Sequence, residues 1–147
     1  MSDSLLSTSL DELVENFELL EDWQDRYAYL IDLGKILPSL DDQCKTDEYK
    51  VRGCTSQVWL THEVYHDEAH QVYIRFSADS DAFIVRGLVA ILLIAYSEKP
   101  AKSIVALNIE DLFKQLGLER NLSFSRRNGF FSMVQKIRTL AQEQIVD

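Results

Sequence analysis

The sequence has few cysteines, few basic residues and only short apolar runs, and each shortage excludes a class of protein. Two cysteines in 147 residues are too few for a disulfide framework or for a four-cysteine zinc site. Fifteen Lys and Arg against 24 Asp and Glu give a net charge of −9, whereas a nucleic-acid footprint would be basic. The longest apolar run, Leu88 to Tyr96, is far shorter than the ~20 residues of a membrane span. We therefore expect neither a nucleic-acid partner nor a membrane partner.

In its overall composition the chain is typical of a soluble globular protein. Hydrophobic residues make up 46% and charged residues 27% of the chain, which is ordinary for a folded domain. No repeat or linker divides the sequence, so we expect a single domain over residues 1–147, with residues 1–8 flexible. Met1–Ser4 lacks the basic start of a signal peptide, and the expected location is cytoplasmic.

Helical periodicity and capping residues predict helices at both ends of the chain. Ser9 to Glu12 has the form of a capping box, and a second helix is predicted from Asp22 to Gly34, with Gly34 and Pro38 as its end signals. Toward the C-terminus, a short helix at Ala101–Ala106 is followed by one capped by Asn108 that ends at Gly117, and then by a last helix capped by Ser123.

The middle of the chain predicts two paired strands and a buried helix. Val58–His66 and Gln71–Ser77 have the character of antiparallel neighbours, and Gln43–Val51 could supply part of a third, edge strand. The helix from Asp81 to Tyr96 is apolar on nearly every side, which is typical of a buried helix. The predicted fold is α+β, with a three-stranded antiparallel sheet and helices packed on one face.

Two details of this central helix are also predicted. Asp79, Ser80 and Asp81 supply side chains that can cap its start and acids that suit its positive end. Gly87 costs ~1 kcal/mol relative to alanine inside a helix, and the close approach of a strand or loop would explain it.

Cys54 is the clearest candidate for a chemically reactive side chain. It follows Gly53, which permits a sharp turn, and precedes the first predicted strand. Lys50 and Arg52 place positive charge nearby, and a nearby cation favours the thiolate. Two interpretations stay open on this local evidence: a reactive nucleophile, or a small buried residue.

Three ordered blocks of sequence extend this observation. They are Val51-x-Gly53-Cys54-x-Ser56-x-Val58-Trp59, then Asp79-Ser80-Asp81-Ala82 leading to Ile84-Val85-Arg86-Gly87-Leu88, and finally Leu122-Ser123-Phe124-Ser125-Arg126-Arg127-Asn128-Gly129. Together they resemble the SufE family of sulfur acceptors, including its CsdE branch, over nearly the whole chain. The resemblance departs at Arg52, where the family commonly has proline.

The resemblance implies a fold like that of SufE and IscU and a function in sulfur transfer. Cys54 would take persulfide sulfur from a cysteine desulfurase of the SufS or CsdA kind, activate that enzyme, and pass the sulfur to an iron–sulfur cluster scaffold. The alternative within the family is a relay to another acceptor, such as RNA thiolation. The chain would be a sulfur carrier rather than an enzyme, without a cofactor of its own, because pyridoxal phosphate belongs to the partner. The resemblance also implies that the protein is a monomer.

The resemblance also assigns roles around Cys54. Arg126 would support an anion or organise the cysteine loop, Gly129 would serve close packing, and Asp81 would affect motion of the loop. The remaining loop or binding residues are Arg52, Gly53, Ser56 and Trp59.

Other residues suggest alternatives that carry less support. Cys44 matches no family motif, so it is either incidental, a resolving thiol or half of a regulatory disulfide. His62 and His66 lie four residues apart on a strand, about 13 Å at ~3.3 Å per residue, so we predict no metal site with them or with His70. A cysteine hydrolase would need one of those strand histidines near Cys54. Two further alternatives, in which the protein would act without transferring sulfur, are an iron–sulfur scaffold and a pure adaptor.

Overall fold

The structure is a computed structural model that describes residues 9–38, 40–53 and 57–145. The helices are α1 (Leu10–Glu18), α2 (Trp23–Ile36), α3 (Phe83–Tyr96), α4 (Ala101–Ala106), α5 (Ile109–Gln115), α6 (Leu118–Asn121) and α7 (Phe124–Glu143). The strands are β1 (Val58–His66), β2 (Val72–Ser80) and β3 (Lys99–Pro100), and a 3-10 turn spans Asp42–Cys44. Among the described residues, every helix is too short or too polar to cross a membrane.

The three strands form one antiparallel sheet in the order β1-β2-β3, which confirms the predicted fold class. Period-2 alternation turns Leu60, Phe76 and Ala78 into the core and places Trp59 and Asp79, which pair across the two strands, on the opposite face. β1 has its predicted bounds. The predicted end of β2 at Ser77 is wrong, because the ladder with β1 continues to Ser80.

The third strand is not where the sequence suggested. β3 pairs with β2 through Tyr73 and Ile74, at the edge away from β1. The segment proposed for this role, Gln43–Val51, contributes only an isolated bridge between Lys50 and Trp59 at the other edge. A two-residue strand around a proline has too little pattern to be identified from sequence, and its pairing depends on distant residues.

The turn between β1 and β2, whose geometry the sequence left open, is built on one side chain. Asp67 Oδ1 accepts hydrogen bonds from the amides of Ala69 and Gln71 at 2.9 and 2.8 Å. His70 takes up a left-handed backbone conformation with φ of 64° and donates its amide to the carbonyl of Asp67.

Helix α3 is the centre of the core, as its apolar sequence predicts. Nearly all of its residues from Ile84 to Tyr96 are buried. Its glycine explains how it meets α2: a Cβ on Gly87 would collide with the carbonyl oxygen of Leu30, and a Cβ on Gly34 would lie 2.9 Å from the amide nitrogen of Gly87. The close neighbour of Gly87 is therefore a helix, and the expectation of a strand or loop is wrong.

The same contact explains the corrected end of α2. The prediction that this helix ends at Gly34 is wrong, because the helix continues to Ile36. Gly34 is an interior position, and its missing side chain serves the crossing with α3 rather than the helix terminus.

The caps predicted for the outer helices are confirmed. Ser9 forms a capping box with Glu12, Asn108 accepts the amide of Asp111 at 3.1 Å, and Ser123 accepts the amide of Arg126 at 3.3 Å. The helix predicted to end at Gly117 ends at Gln115, and Gly117, with a left-handed φ of 77°, links it to α6. The start of α3 differs from its prediction: the helix begins at Phe83, its cap residue Ala82 offers no side-chain bond, and the two aspartates before it bond elsewhere.

Candidate functional site

The loop that carries the predicted acceptor lies between two paired stems. The incoming stem is residues 49–51, and the outgoing stem is residues 58–60 at the start of β1. Val51 of the incoming stem donates its amide to the carbonyl of Val58 at 2.8 Å. In return, Leu60 of β1 donates its amide to the carbonyl of Tyr49 at 2.9 Å. These two hydrogen bonds flank the isolated bridge between Lys50 and Trp59 and join the incoming stem to the start of β1. Cys54 and Ser56, both predicted site residues, lie outside the described residues, so the geometry of the site is that of its two flanks.

Asp81 holds the outgoing end of the loop through Gln57, which lies three residues beyond Cys54 in the sequence. Its Oδ1 accepts the amide of Gln57 at 3.1 Å, and its own amide donates to the carbonyl of Gln57 at 3.2 Å. The side-chain nitrogen of Gln57 lies 3.4 Å from the second carboxylate oxygen. Asp81 therefore ties the loop to the turn before α3.

Gly53 holds the incoming end against the last helix. Its φ is +89°, in the left-handed region that favours glycine. A Cβ at this position would collide with Oγ of Ser132, in the middle of α7. Arg52 beside it is exposed. The structure thus brings the residue before Cys54 directly onto α7.

The predicted residues of α7 lie along the same helix. Arg126 is half-buried in the first turn and Gly129 is buried one turn later. At 1.5 Å per residue, Arg126 stands about 9 Å along the helix axis from Ser132, with Gly129 midway between them. Arg126 is thus less than two turns from the point where the loop contacts α7.

Sequence reasoning missed a buried ionic cluster beneath the incoming stem. Asp79, predicted as a helix-start residue, has only 1% of its surface exposed. Its carboxylate pairs with Arg86 of α3, accepts the amide of Leu40 at 3.3 Å and the amide of Ser80 at 2.8 Å, and lies 3.5 Å from Nζ of Lys45.

Arg86 extends this cluster to the end of α2. Its Nε donates to the carbonyl of Gly34 at 3.2 Å and its Nη2 to the carbonyl of Leu37 at 3.1 Å. Asp79 and Arg86 both stand in the second family block, which is the one sequence signal for this cluster. They lie seven residues apart on different elements, so the block alone does not pair them.

Lys45 joins this cluster to the start of β1. Its ammonium lies 5.7 Å from the centroid of the Trp59 ring, a cation–π distance, and also reaches Asp42 at 3.7 Å. Trp59, a predicted site residue, is 9% exposed. Cys44, next to Lys45, is a half-buried free thiol at the end of the 3-10 turn.

The histidines stand apart from these contacts. His62 and His66 are exposed on β1, and His70 is exposed in the turn that follows. Within the part of the chain that the structure describes, no three His, Cys, Asp or Glu side chains are grouped as metal ligands.

The sheet, the buried helix and the loop between paired stems define an α+β protein, and comparison with known proteins identifies its family. A solved neighbour, the solution structure of a hypothetical protein from Thermus thermophilus, has a TM-score of 0.72 at 14% identity and covers 91% of this chain and 93% of its own. That likeness concerns the fold alone.

The sequence comparisons go further. The chain matches the SufE model, an Fe–S metabolism associated domain, over residues 11–141. Two relatives named as uncharacterized SufE-like proteins are 49% identical (Rhizobium etli) and 44% identical (Rhizobium meliloti), each over 94% of this chain and over 93% and 98% of their own lengths. The chain therefore belongs to the SufE family, as the three sequence blocks predict.

Proposed function

We propose that this protein accepts sulfur from a cysteine desulfurase on Cys54 and relays it toward iron–sulfur cluster assembly. The observation that carries the proposal is the Gly53-Cys54 motif inside a SufE domain that matches residues 11–141. The described flanks support it, because three separate elements fasten the loop: β1, the turn before α3, and α7.

The proposed transfer is a thiol–persulfide exchange. The Cys54 thiolate attacks the outer sulfur of the partner's cysteine persulfide, and a new sulfur–sulfur bond forms at Cys54. The partner's sulfur–sulfur bond breaks, and its cysteine leaves as a thiolate with the bonding electron pair. One thiolate is consumed and one is released, so no external oxidant or reductant enters the step. The pyridoxal phosphate that produces the persulfide belongs to the partner.

Arg126 is proposed to support the anion or the loop. A guanidinium is charged at every physiological pH and can donate to a thiolate or a persulfide. Its position on α7, less than two turns from the Gly53 contact, favours this role over that of an ordinary first-turn residue. At a helix start a cation is poorly matched to the helix dipole, which also favours a tertiary role.

The experiment is an activation assay with a cysteine desulfurase, free cysteine and a reductant, in which alanine formation is measured. Wild-type protein is expected to raise turnover, Cys54→Ala to abolish the increase, and Cys44→Ala to retain it. Equal stimulation by Cys54→Ala would support an adaptor that acts without sulfur transfer and would contradict the proposal.

A further inference from the structure

We infer that Lys45 is a positioning residue for sulfur acceptance, because one ammonium group joins both stems of the cysteine loop to a buried carboxylate. This inference rests on the proposed function. It concerns a residue nine positions before Cys54, outside the three family blocks.

The geometry places Lys45 between three elements. It belongs to the segment that leads into the incoming stem, and its ammonium lies 3.5 Å from Oδ2 of Asp79 at the end of β2. The same ammonium stands 5.7 Å from the ring of Trp59, in the outgoing stem at the start of β1. Trp59 and Asp79 are themselves opposite each other in the β1–β2 register.

The two aspartates before α3 therefore serve the two ends of one loop. Asp81 bonds Gln57 at the outgoing end, and Asp79 holds the incoming segment through Lys45 and through the amide of Leu40. Only one residue, Ser80, separates these aspartates, so both ends of the loop are held at the same junction, where β2 leads into α3.

Lys45 is the removable member of this cluster. Asp79 is 1% exposed and keeps Arg86 as a second cation, so loss of the lysine does not leave the buried carboxylate without a charged partner. The Lys45 side chain is 30% exposed, which leaves room for substitution. Removal of Asp79 would instead leave Arg86 without its carboxylate, and removal of Arg86 would leave the buried Asp79 with only the partly exposed Lys45, so both changes would test stability rather than positioning.

The consequence for sulfur transfer follows from geometry. Acceptance requires the Cys54 sulfur to meet the outer sulfur of the partner's persulfide in line, and misplacement by about 1 Å slows such steps strongly. A stem released from Asp79 and Trp59 spends less time in the competent arrangement. The maximum rate of acceptance should fall, while the amount of protein able to accept sulfur stays the same.

The experiment compares wild type, Lys45→Met and Lys45→Arg in single-turnover sulfur acceptance from a desulfurase loaded with persulfide, at several desulfurase concentrations. Methionine keeps an apolar stem over Trp59 but removes the charge, and arginine keeps the charge. Lys35→Met is the matched control, because Lys35 makes the same i,i+3 pair, with Asp32 at 3.8 Å, through a side chain that is 69% exposed and is not held against Asp79. The thermal midpoint of each variant checks folding.

We expect the maximum rate to fall roughly fivefold in Lys45→Met, which corresponds to the ~1 kcal/mol upper range of a partly exposed ion pair. Lys45→Arg should recover most of the rate, and Lys35→Met should match wild type. A rate in Lys45→Met equal to or above that of wild type would overturn this role and leave the proposed function intact. Absence of sulfur on the wild-type protein would overturn both.

Discussion

At the scale of single residues, the role of Gly53 can be predicted from its sequence neighbours, whereas the role of Asp79 depends on distant residues. The motif around Gly53 points to a turn, and the φ of +89° explains why glycine stands there. Asp79 also stands in a family block, yet its role as a buried carboxylate depends on Leu40, Lys45 and Arg86. Sequence reasoning assigned it to the nearest helix because its partners are on other elements.

Gly53→Ala should destabilise the protein for two reasons, and a second substitution at Ser132 can distinguish them. A non-glycine residue in the left-handed region costs about 1–3 kcal/mol, and the new methyl group also meets Oγ of Ser132. Denaturant unfolding should show a loss in this range for Gly53→Ala. The double variant Gly53→Ala/Ser132→Ala, compared with Ser132→Ala alone, should show a smaller loss, because only the backbone strain and the milder 3.3 Å contact with the Cβ of residue 132 remain.

Wild-type stability in Gly53→Ala would contradict this account, since it would mean that neither the backbone conformation nor the Ser132 contact constrains this position.

At the scale of elements, predictions succeeded where the deciding contacts are local. The caps Ser9, Asn108 and Ser123 bond amides three residues ahead, so a short stretch of sequence is enough to identify them. The end of α2, the end of β2 and the position of β3 depend on pairing with distant elements. Their errors have one physical cause, which is that tertiary contacts override local signals.

The α2–α3 crossing makes a prediction at this scale. Alanine at position 87 gains ~1 kcal/mol of helix propensity, but its Cβ would collide with the Leu30 carbonyl of α2. Because backbone atoms cannot move aside as a flexible side chain can, Gly87→Ala should lower the free energy of unfolding by about 1–3 kcal/mol. Denaturant unfolding measures this change, and a gain of stability would mean that the two helices are not in close contact.

At the scale of the whole molecule, the fold brings distant stretches of the chain to the two flanks of the cysteine loop. The turn before α3 contacts Gln57, the middle of α7 contacts Gly53, and Lys45 contacts Trp59 at the start of β1. The three family blocks predicted two of these approaches, through Asp81 and α7. They did not predict the one through Lys45, which lies outside every block.

The most direct test of the central claim is intact mass after the protein is mixed with a cysteine desulfurase and cysteine without reductant. We predict that the wild-type chain and Cys44→Ala gain the mass of one or more sulfur atoms and that Cys54→Ala gains none. An unchanged wild-type mass, with a desulfurase that demonstrably binds the protein, would contradict the sulfur-acceptor account.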